Sequence, residues 1–370
     1  MSYIAHTRAS TIFPLVGFLE RAGASVERLL AMADLPSSVS SDSEALIPAR
    51  GVCRLFNAAA RELDIPNFGF IVGEQTNFDT LGTFGRVARR APTLGTALQT
   101  VKRCYPMFTS GSRIWLRRRG DVVEFRRALI PELDPQDFAW QQNQLHVLGR
   151  MLAFVRLAAG PSWRPAEVHL QTDEAPALRD AESLAGARVA FRQPATMIAI
   201  PRALLAAPLP PPLRIEAPGD AVEEWERSRP ARDFVRSVRQ AIETLSCRDY
   251  PDVRATADFV DMSVRTLQRR LSAAGVSHDL LVAQARFATA AAVLEETDAK
   301  ILDLALDLGY SDHANFTRAF RRWTGCSPRE YRLRRGGGSV PRSPSSPRGG
   351  AAASAPDHPM CAVSSRVRRG

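Results

Sequence analysis

The stretch LGYSDHANFTRAFRRWTGCSPREYR, residues 308–332, decides the fold of the C-terminal part of this chain. Gly309 can supply the positive φ of a tight turn, and Asp312 is a good N-cap for a helix that follows it. Gly325 is a typical helix stop. Between them, large apolar residues recur at helical spacing: Phe316, Phe320 and Trp323. The pattern predicts a helix that follows a tight turn and buries one face.

The same arrangement occurs earlier in the chain. Ala257 and Leu267 stand where the later copy has Ala305 and Phe316, an offset of 48 residues before the turn and 49 after it. The small alanine lets the second helix of each copy cross the first closely. An internal repeat of helix, tight turn and helix is therefore predicted.

The first copy carries its own start and stop signals. Ser263 is a good N-cap, and Gly275 is a typical residue after a helix end. Asp261 occupies the turn, where aspartate tolerates the left-handed conformation. The predicted buried positions of the two copies are Val253, Ala257, Val260, Val264, Leu267, Leu271, Ile301, Ala305 and Leu308.

Charge is sorted by face in both copies. The predicted second helices, 264–274 and 313–324, contain no acidic residue. Their basic residues are Arg265, Arg269, Arg270, Arg318, Arg321 and Arg322. The preceding helices carry acidic residues: Asp258, Asp261, Asp303 and Asp307. A basic second helix is the element that enters the DNA major groove, where arginine can bond guanine bidentately and other groups hold phosphates.

The segment between the copies has a suitable length. Asp279–Glu295 is predicted as one helix, which at 1.5 Å per residue is about 26 Å long. That is the scale needed to hold two recognition helices one DNA turn, about 34 Å, apart. The alternative is a plain helical bundle whose arginines are only solvated. We expect phosphate contacts or surface positions, rather than base contacts, for Arg270, Arg321 and Arg322.

Overall charge adds little to this case. The formal net charge is +10, but residues 231–332 hold 15 basic and 14 acidic residues. Residues 333–370 hold 7 basic residues and 1 acidic residue, so much of the excess lies in this Gly/Ser/Pro/Arg-rich tail, which is predicted to be disordered.

The N-terminal part predicts a mixed α+β domain. Residues 1–45 and Pro48–Leu63 have helical patterns, and Ser112–Leu129 predicts a β-hairpin around Gly120-Asp121. A long helix is predicted over Pro135–Ala159, and short strands over Glu167–Gln171 and Ala187–Phe191. The proline run Pro208–Pro212 is typical of a linker.

Enzyme and metal motifs are absent from the sequence. The five cysteines, Cys53, Cys104, Cys247, Cys326 and Cys361, are widely spaced and odd in number, which predicts neither a zinc site nor a disulfide framework. Scattered histidines and the lack of GxSxG or HExxH argue against catalysis. No cofactor is expected, and the predicted location is cytoplasmic and nucleoid-associated.

Residues 263–271 and 308–332 resemble the AraC/XylS transcription regulators. The resemblance covers about Ala231–Arg332 and implies seven helices with two helix-turn-helix units joined by a long helix. Ser327-Pro328 with Tyr331 is similar to the family's closing motif, which packs the last helix. The implied DNA-contacting residues are Ser263, Arg265, Thr266, Gln268, Arg269, Arg270, His313, Ala314, Asn315, Thr317, Arg318 and Arg322.

Residues 10–205 resemble the sensor domain of ornithine-utilisation-type regulators of that family. The resemblance lies in Phe68–Phe70, Leu81–Gly85, Ala91–Leu98 and Trp163–Pro165. It implies an effector-binding and dimerisation domain over 1–208, a linker over 209–230, a DNA-binding domain over 231–334 and a tail over 335–370. The implied partners are double-stranded DNA, RNA polymerase, a small effector and a second copy of the chain. The implied role is that of an activator.

Two alternatives remain open at this point. The N-terminal domain could dimerise without sensing anything, and Tyr105, Phe108 and Trp140 fit either an effector pocket or a core. A methyl-transfer repair enzyme with a regulatory half is the remote alternative. It would need four clustered N-terminal cysteines, whereas that part of the chain has only Cys53 and Cys104.

Overall fold

The computed structural model describes residues 3–129, 140–175, 178, 181–211, 219–246 and 250–335. Two compact units are present: Met1–Ala241 with Asp258–Met262, and Ile242–Ala257 with the chain from Ser263 onward. The domain boundaries at residues 208, 230 and 334 stay predictions. Residues 212–218 of the predicted linker and 336–370 of the predicted tail lie outside the described residues.

Eight α-helices lie in the described residues of the first unit before Phe234. They are α1 Phe13–Arg21, α2 Val26–Met32, α3 Ala49–Glu62, α4 Phe68–Glu74, α5 Gly82–Arg89, α6 Leu94–Phe108, α7 Gln141–Ala159 and α8 Gly219–Arg227. The predicted helix at Pro48–Leu63 is confirmed as α3. The helix predicted over Pro135–Ala159 is confirmed from Gln141, and its predicted start lies outside the described residues.

A five-stranded sheet completes this unit, in the order β3-β4-β7-β5-β6. Its strands are β3 Ser112–Arg119, β4 Val122–Leu129, β5 Glu167–His169, β6 Arg188–Ala190 and β7 Thr196–Pro201. The predicted hairpin is confirmed, with Gly120 at φ 58° in its turn. The central strand β7 was not predicted, because its continuous apolar run lacks the alternation of a half-buried strand.

The helical pattern predicted for residues 1–45 was wrong at their start. His6–Arg8 forms strand β1, which pairs antiparallel with β2, Leu46–Pro48. Thr7 faces Ile47 across the ladder, so the pairing joins segments 40 residues apart. A local pattern carries no signal for such a contact.

His6 should make the first unit sensitive to acid. Its side chain is fully buried, and burial lowers its pKa from 6.5 to about 4, while a hydrogen bond to the Ile4 carbonyl acts in the opposite direction. Below pH 6.5 the unfolded chain therefore binds a proton that the folded chain excludes. Each pH unit down to about 4 should cost up to about 1.4 kcal/mol of unfolding free energy. Burial also holds the pKa of His146 well below 6.5, which acts in the same direction.

Urea unfolding of the full chain at several pH values between 7 and 4.5 would measure this loss. The variant His6→Asn keeps an N–H for the Ile4 carbonyl but cannot titrate, so its stability should fall less steeply with pH. An identical slope in the variant and the wild type would contradict the assignment to His6.

Helices α4 and α7 cross at a contact that only glycine permits. A Cβ added to Gly69 would lie 2.0 Å from the carbonyl oxygen of Gln142, and one added to Gly73 would lie 2.3 Å from that of His146. The sequence motif Phe68–Phe70 is thus a packing motif, with both phenylalanines buried around the glycine. This crossing fixes α7 against the rest of the first unit.

Seven helices lie in the described residues from Phe234 onward. They are α9 Phe234–Leu245, α10 Val253–Phe259, α11 Val264–Ala273, α12 His278–Glu296, α13 Ile301–Asp307, α14 His313–Thr324 and α15 Pro328–Arg335. The fold class is confirmed: an α+β N-terminal part, and an all-helical C-terminal part in which the long helix α12 joins two helix-turn-helix units. Helix α12 has 19 residues.

One hydrophobic core holds helices α12 to α15 together. Phe316 and Phe320 on α14 are each 2% exposed and pack with residues of the other three helices. Trp323 was predicted to be buried but is only partly so, because it stacks on Phe287 at 6.1 Å near the edge of this core. Val264, Val253 and Ile301 are likewise only partly buried.

Candidate nucleic-acid interface

The first helix-turn-helix unit begins its second helix, α11, as the sequence predicts. The Ser263 hydroxyl accepts a hydrogen bond from the Thr266 backbone N–H at 3.2 Å and also contacts the Thr266 hydroxyl at 2.9 Å. Asp261 in the turn has φ 58°, and Gly275 after the helix has φ 73°. These caps fix where α11 starts and ends.

Three predicted contact residues share the exposed face of α11. Leu267 and Leu271 are buried, which leaves Arg265, Gln268 and Arg269 exposed together. Thr266 and Arg270 lie at the margins of this face and are half-buried. Burial lowers the pKa of Arg270, and Arg269 adds to that effect.

The second helix-turn-helix unit repeats these local features around helix α14. Gly309 has φ 72° in the turn, and the Asp312 carboxylate accepts a hydrogen bond from the Asn315 backbone N–H at 2.7 Å. This bond is the main reason that the pKa of Asp312 lies below its ordinary value. Gly325 ends the helix in the left-handed conformation with φ 75°.

A side-chain network orders the N-terminal end of α14. The Asn315 amide donates to the Ser311 hydroxyl at 2.9 Å and to the Asp312 carboxylate at 2.7 Å. Its oxygen accepts from the Arg318 guanidinium. Sequence reasoning missed Ser311, although serine side chains near turns and helix starts often form local hydrogen bonds. The network holds Asn315 and Arg318 in one orientation.

The other predicted residues of α14 lie around this network. His313, Ala314, Arg318 and Arg322 are exposed, and Asn315 and Thr317 are half-buried. None of these six residues belongs to the buried core. The exposed acidic residues Asp303 and Asp307 lie on α13, and Asp258 lies on α10. The surface of the second helix in each unit is therefore basic, while acids lie on the helix before it.

The last helix, α15, is tied back to α12. Ser327 and Glu330 form a capping box, with the Ser327 N–H donating to the Glu330 carboxylate at 2.7 Å and the Glu330 N–H donating to the Ser327 hydroxyl at 3.2 Å. The Tyr331 hydroxyl donates to the Glu295 carboxylate at 2.9 Å. The closing motif expected at Ser327-Pro328 and Tyr331 thus fixes α15, and with it one side of the α14 core.

Comparison with known proteins identifies these two parts. Residues 23–209, half of the chain, match the family described as the arabinose-binding domain of AraC transcription regulators, N-terminal. Residues 256–334 match a helix-turn-helix domain family. The chain belongs to the AraC family of transcription regulators. It is an AraC-type DNA-binding regulator with an arabinose-binding-like N-terminal domain.

Curated relatives of this AraC-family chain span most of its length. It is 28% identical over 342 residues to the HTH-type transcriptional regulator VirS of Mycobacterium tuberculosis, covering 88% of this chain and 96% of that protein. It is 24% identical over 274 residues to the ornithine utilization regulator of Pseudomonas aeruginosa, covering 72% and 78%. The solved structure of the transcriptional regulator CdpR from Pseudomonas aeruginosa is 22% identical, covers 87% and 97% of the two chains, and has a TM-score of 0.40.

These relatives are named regulators, which agrees with the prediction that the chain is not an enzyme. Cys53, Cys104 and Cys326 are buried free thiols. In the described residues, no group of three or more His, Cys, Asp or Glu residues could hold a metal ion. No helix in that same part of the chain is both long and apolar enough to cross a membrane.

Proposed function

We propose that this regulator places α11 and α14 in two successive major grooves of one operator and that its N-terminal part senses a small molecule. The basic, acid-free surface of each helix supports the first half, because arginine and amide groups on such a surface can reach base edges. The matched arrangement in both units is the observation that carries this proposal.

The length of α12 supports a two-groove arrangement. Its 19 residues span about 28 Å at 1.5 Å per residue. Adjacent major-groove sites on one face of DNA lie about 34 Å apart. A rigid helix of this length between the two units is therefore of the right scale to place them one DNA turn apart.

Base contacts are assigned to Arg265, Gln268 and Arg269 in the first unit. In the second unit they are assigned to His313, Ala314, Asn315, Thr317 and Arg318. Ser263, Thr266, Arg270 and Arg322 contact the sugar-phosphate backbone. In support of this division, Arg265, Gln268 and Arg269 are exposed together and Asn315 and Arg318 lie in the ordered network, whereas Thr266 and Arg270 lie at the margins of α11.

Replacing Arg269 or Arg318 with alanine should weaken specific DNA binding. Loss of one bidentate arginine–guanine contact costs about 1–3 kcal/mol, or roughly 5- to 150-fold in Kd. An operator duplex is first selected from random DNA with the wild-type chain. Fluorescence anisotropy at one fixed salt concentration then gives Kd values for this duplex and a scrambled one. The scrambled duplex should bind both variants nearly as well as wild type.

Arg329→Ala is the matched control, since it removes an exposed arginine from α15 outside the two recognition helices. It should change both Kd values little. If Arg269→Ala and Arg318→Ala weakened the selected and scrambled duplexes equally, the two arginines would be phosphate contacts and base reading by them would be excluded.

The sensing half of the proposal extends to regulation. In this proposal the chain is a homodimer that binds nucleoid DNA and acts as an activator. Effector binding changes how the homodimer acts on RNA polymerase. The match to an arabinose-binding domain family and to a relative named for ornithine utilization supports a small-molecule ligand. The alternative is an N-terminal part that only dimerises and senses no ligand. Thermal-shift screening of the full chain against a metabolite library separates the two, since pure dimerisation predicts no hit at millimolar ligand.

A further inference from the structure

Two adjoining, partly open cavities lie in the first unit, and their space is about 380 and 410 Å³ when the part open to solvent is counted. They share four wall residues: Tyr105, Arg127, Val147 and Arg150. These come from α6, β4 and α7. A molecule at the junction would therefore contact the sheet and two helices at once.

The two cavities differ in chemistry. The first is mixed: hydroxyl and amide groups of Thr7, Thr11, Ser112 and Asn143 line it beside apolar residues such as Val52, Phe108 and Trp140. The second is otherwise lined by apolar side chains, including Phe78, Phe84, Val101, Phe125, Met151 and Phe154. The junction thus has a polar side and an apolar side, with two arginines between them.

Both arginines are buried without a carboxylate. Arg127 is 5% exposed and Arg150 is 9% exposed. Arg127 donates to the Gln144 amide oxygen at 2.7 Å, and Arg150 donates to the Thr11 hydroxyl at 3.2 Å. Among the residues that the structure describes, neither guanidinium forms an ion pair. The Arg127 Nε–H has no hydrogen-bond partner there.

Unpaired buried charge is costly, so proteins rarely retain it without a use. Burial lowers the pKa of Arg150, and repulsion by Arg127 acts in the same direction. Burial raises the pKa of Tyr105, but Arg127 and Arg150 outweigh this and leave it below its ordinary value. Besides burial, positive charge from the two arginines contributes to both shifts, and an anion at the junction would neutralise that charge.

We propose that Arg127 and Arg150 bind the carboxylate of a small organic acid whose aliphatic or aromatic part occupies the apolar cavity. The Tyr105 hydroxyl, which contacts the Ser112 hydroxyl at 2.9 Å, supplies a further donor beside the acid. This assignment rests on the proposed sensing function and names the chemical class that is sensed.

The test uses the full chain and three probe acids: hexanoate, octanoate and 3-phenylpropanoate. Their neutral amides serve as matched ligands. Thermal shift and calorimetry at pH 7.5 should show at least one acid binding and raising the unfolding temperature, and its amide binding much more weakly. In Arg127→Met and Arg150→Met the affinity for that acid should fall by at least roughly 30-fold.

Two features separate ligand binding from a structural role. Because each methionine variant removes a buried charge that has no ion-pair partner among the described residues, its unfolding temperature without ligand should equal or exceed that of wild type. The matched control is Arg126→Met, which lies next along β4 and pairs with Glu124 at 2.8 Å. It should keep the acid response. Arg127→Lys, which retains the charge, should keep part of it.

The results distinguish this proposal from the broader one. If none of the three acids binds the wild-type chain, or if both methionine variants bind them normally, the carboxylate site is wrong. A hit on a neutral metabolite in the library screen would then leave sensing intact. If the methionine variants do not fold, a weakened but retained response in folded Arg127→Lys, with a normal response in Arg126→Met, would support the assignment, and an unchanged or fully lost response in Arg127→Lys would contradict it.

Discussion

Replacing Gly69 with alanine should strongly destabilise the first unit. The added Cβ would lie 2.0 Å from the carbonyl oxygen of Gln142 and 2.9 Å from its carbonyl carbon. Both are backbone atoms, so no side-chain rotation can relieve the clash. Helices α4 and α7 would have to separate, and overpacking of this kind costs about 1–3 kcal/mol or more.

The loss should extend beyond α4, because α7 also carries Arg150 and Val147 of the cavity walls. Thermal unfolding and hydrogen exchange of the full chain would measure it. We expect a lower unfolding temperature and faster exchange in α4 and α7, with α12 to α15 unchanged.

Gly17→Ala provides the matched control on another helix of the same unit. The nearest atom to its added Cβ is the end of the Arg21 side chain at 3.5 Å, an ordinary contact. Alanine also favours a helix over glycine by roughly 0.5–1 kcal/mol. This variant should be as stable as wild type or more so. Equal stability of Gly69→Ala and Gly17→Ala would show that the α4–α7 crossing adjusts freely.

The C-terminal architecture could be predicted from sequence because its signals are local. Ser263 and Asp312 cap helices within three residues of themselves, and Gly325 ends a helix at its own position. Asp261 has the left-handed conformation expected of it in the turn. Each of these features is decided by a few neighbouring residues, so a single sequence contains the information.

The N-terminal sheet was predicted only in part because its remaining contacts are distant in sequence. Strand β7 pairs with β4, so Ile198 lies opposite Phe125, 73 residues earlier. The β1–β2 pairing is of the same kind. The hairpin was found because its two strands are separated only by a turn.

The arginine site escaped prediction for a related reason. Arg127 and Arg150 look like ordinary basic residues on a strand and a helix, and only the fold brings them to one cavity. Tyr105, Phe108 and Trp140, which sequence reasoning left between pocket and core, turn out to be buried and to line the first cavity as well. These three side chains therefore belong both to the buried core and to the wall of the cavity.

Phe320→Ala should have the largest effect on the second unit. Phe320 is 2% exposed. Its ring centroid lies 5.6 Å from those of Phe287 and Phe316 and 5.3 Å from that of Tyr331. It thereby joins α12, α14 and α15. Truncating a buried phenylalanine costs about 3–5 kcal/mol, which is a large share of the 5–15 kcal/mol that stabilises an ordinary domain. Because α14 loses its main anchor, the affinity for the selected operator should fall together with stability.

The comparison variant is Leu306→Ala, which removes a side chain that is 54% exposed on α13 of the same unit. Urea unfolding should show little change for it and several kcal/mol for Phe320→Ala. Hydrogen exchange should place the loss of protection of Phe320→Ala in α12 to α15. Truncating a ring in a well-packed site leaves a cavity that its neighbours cannot fill without cost. If Phe320→Ala instead lost less than about 1 kcal/mol of unfolding free energy and bound the operator normally, contacts other than this aromatic cluster would position α14.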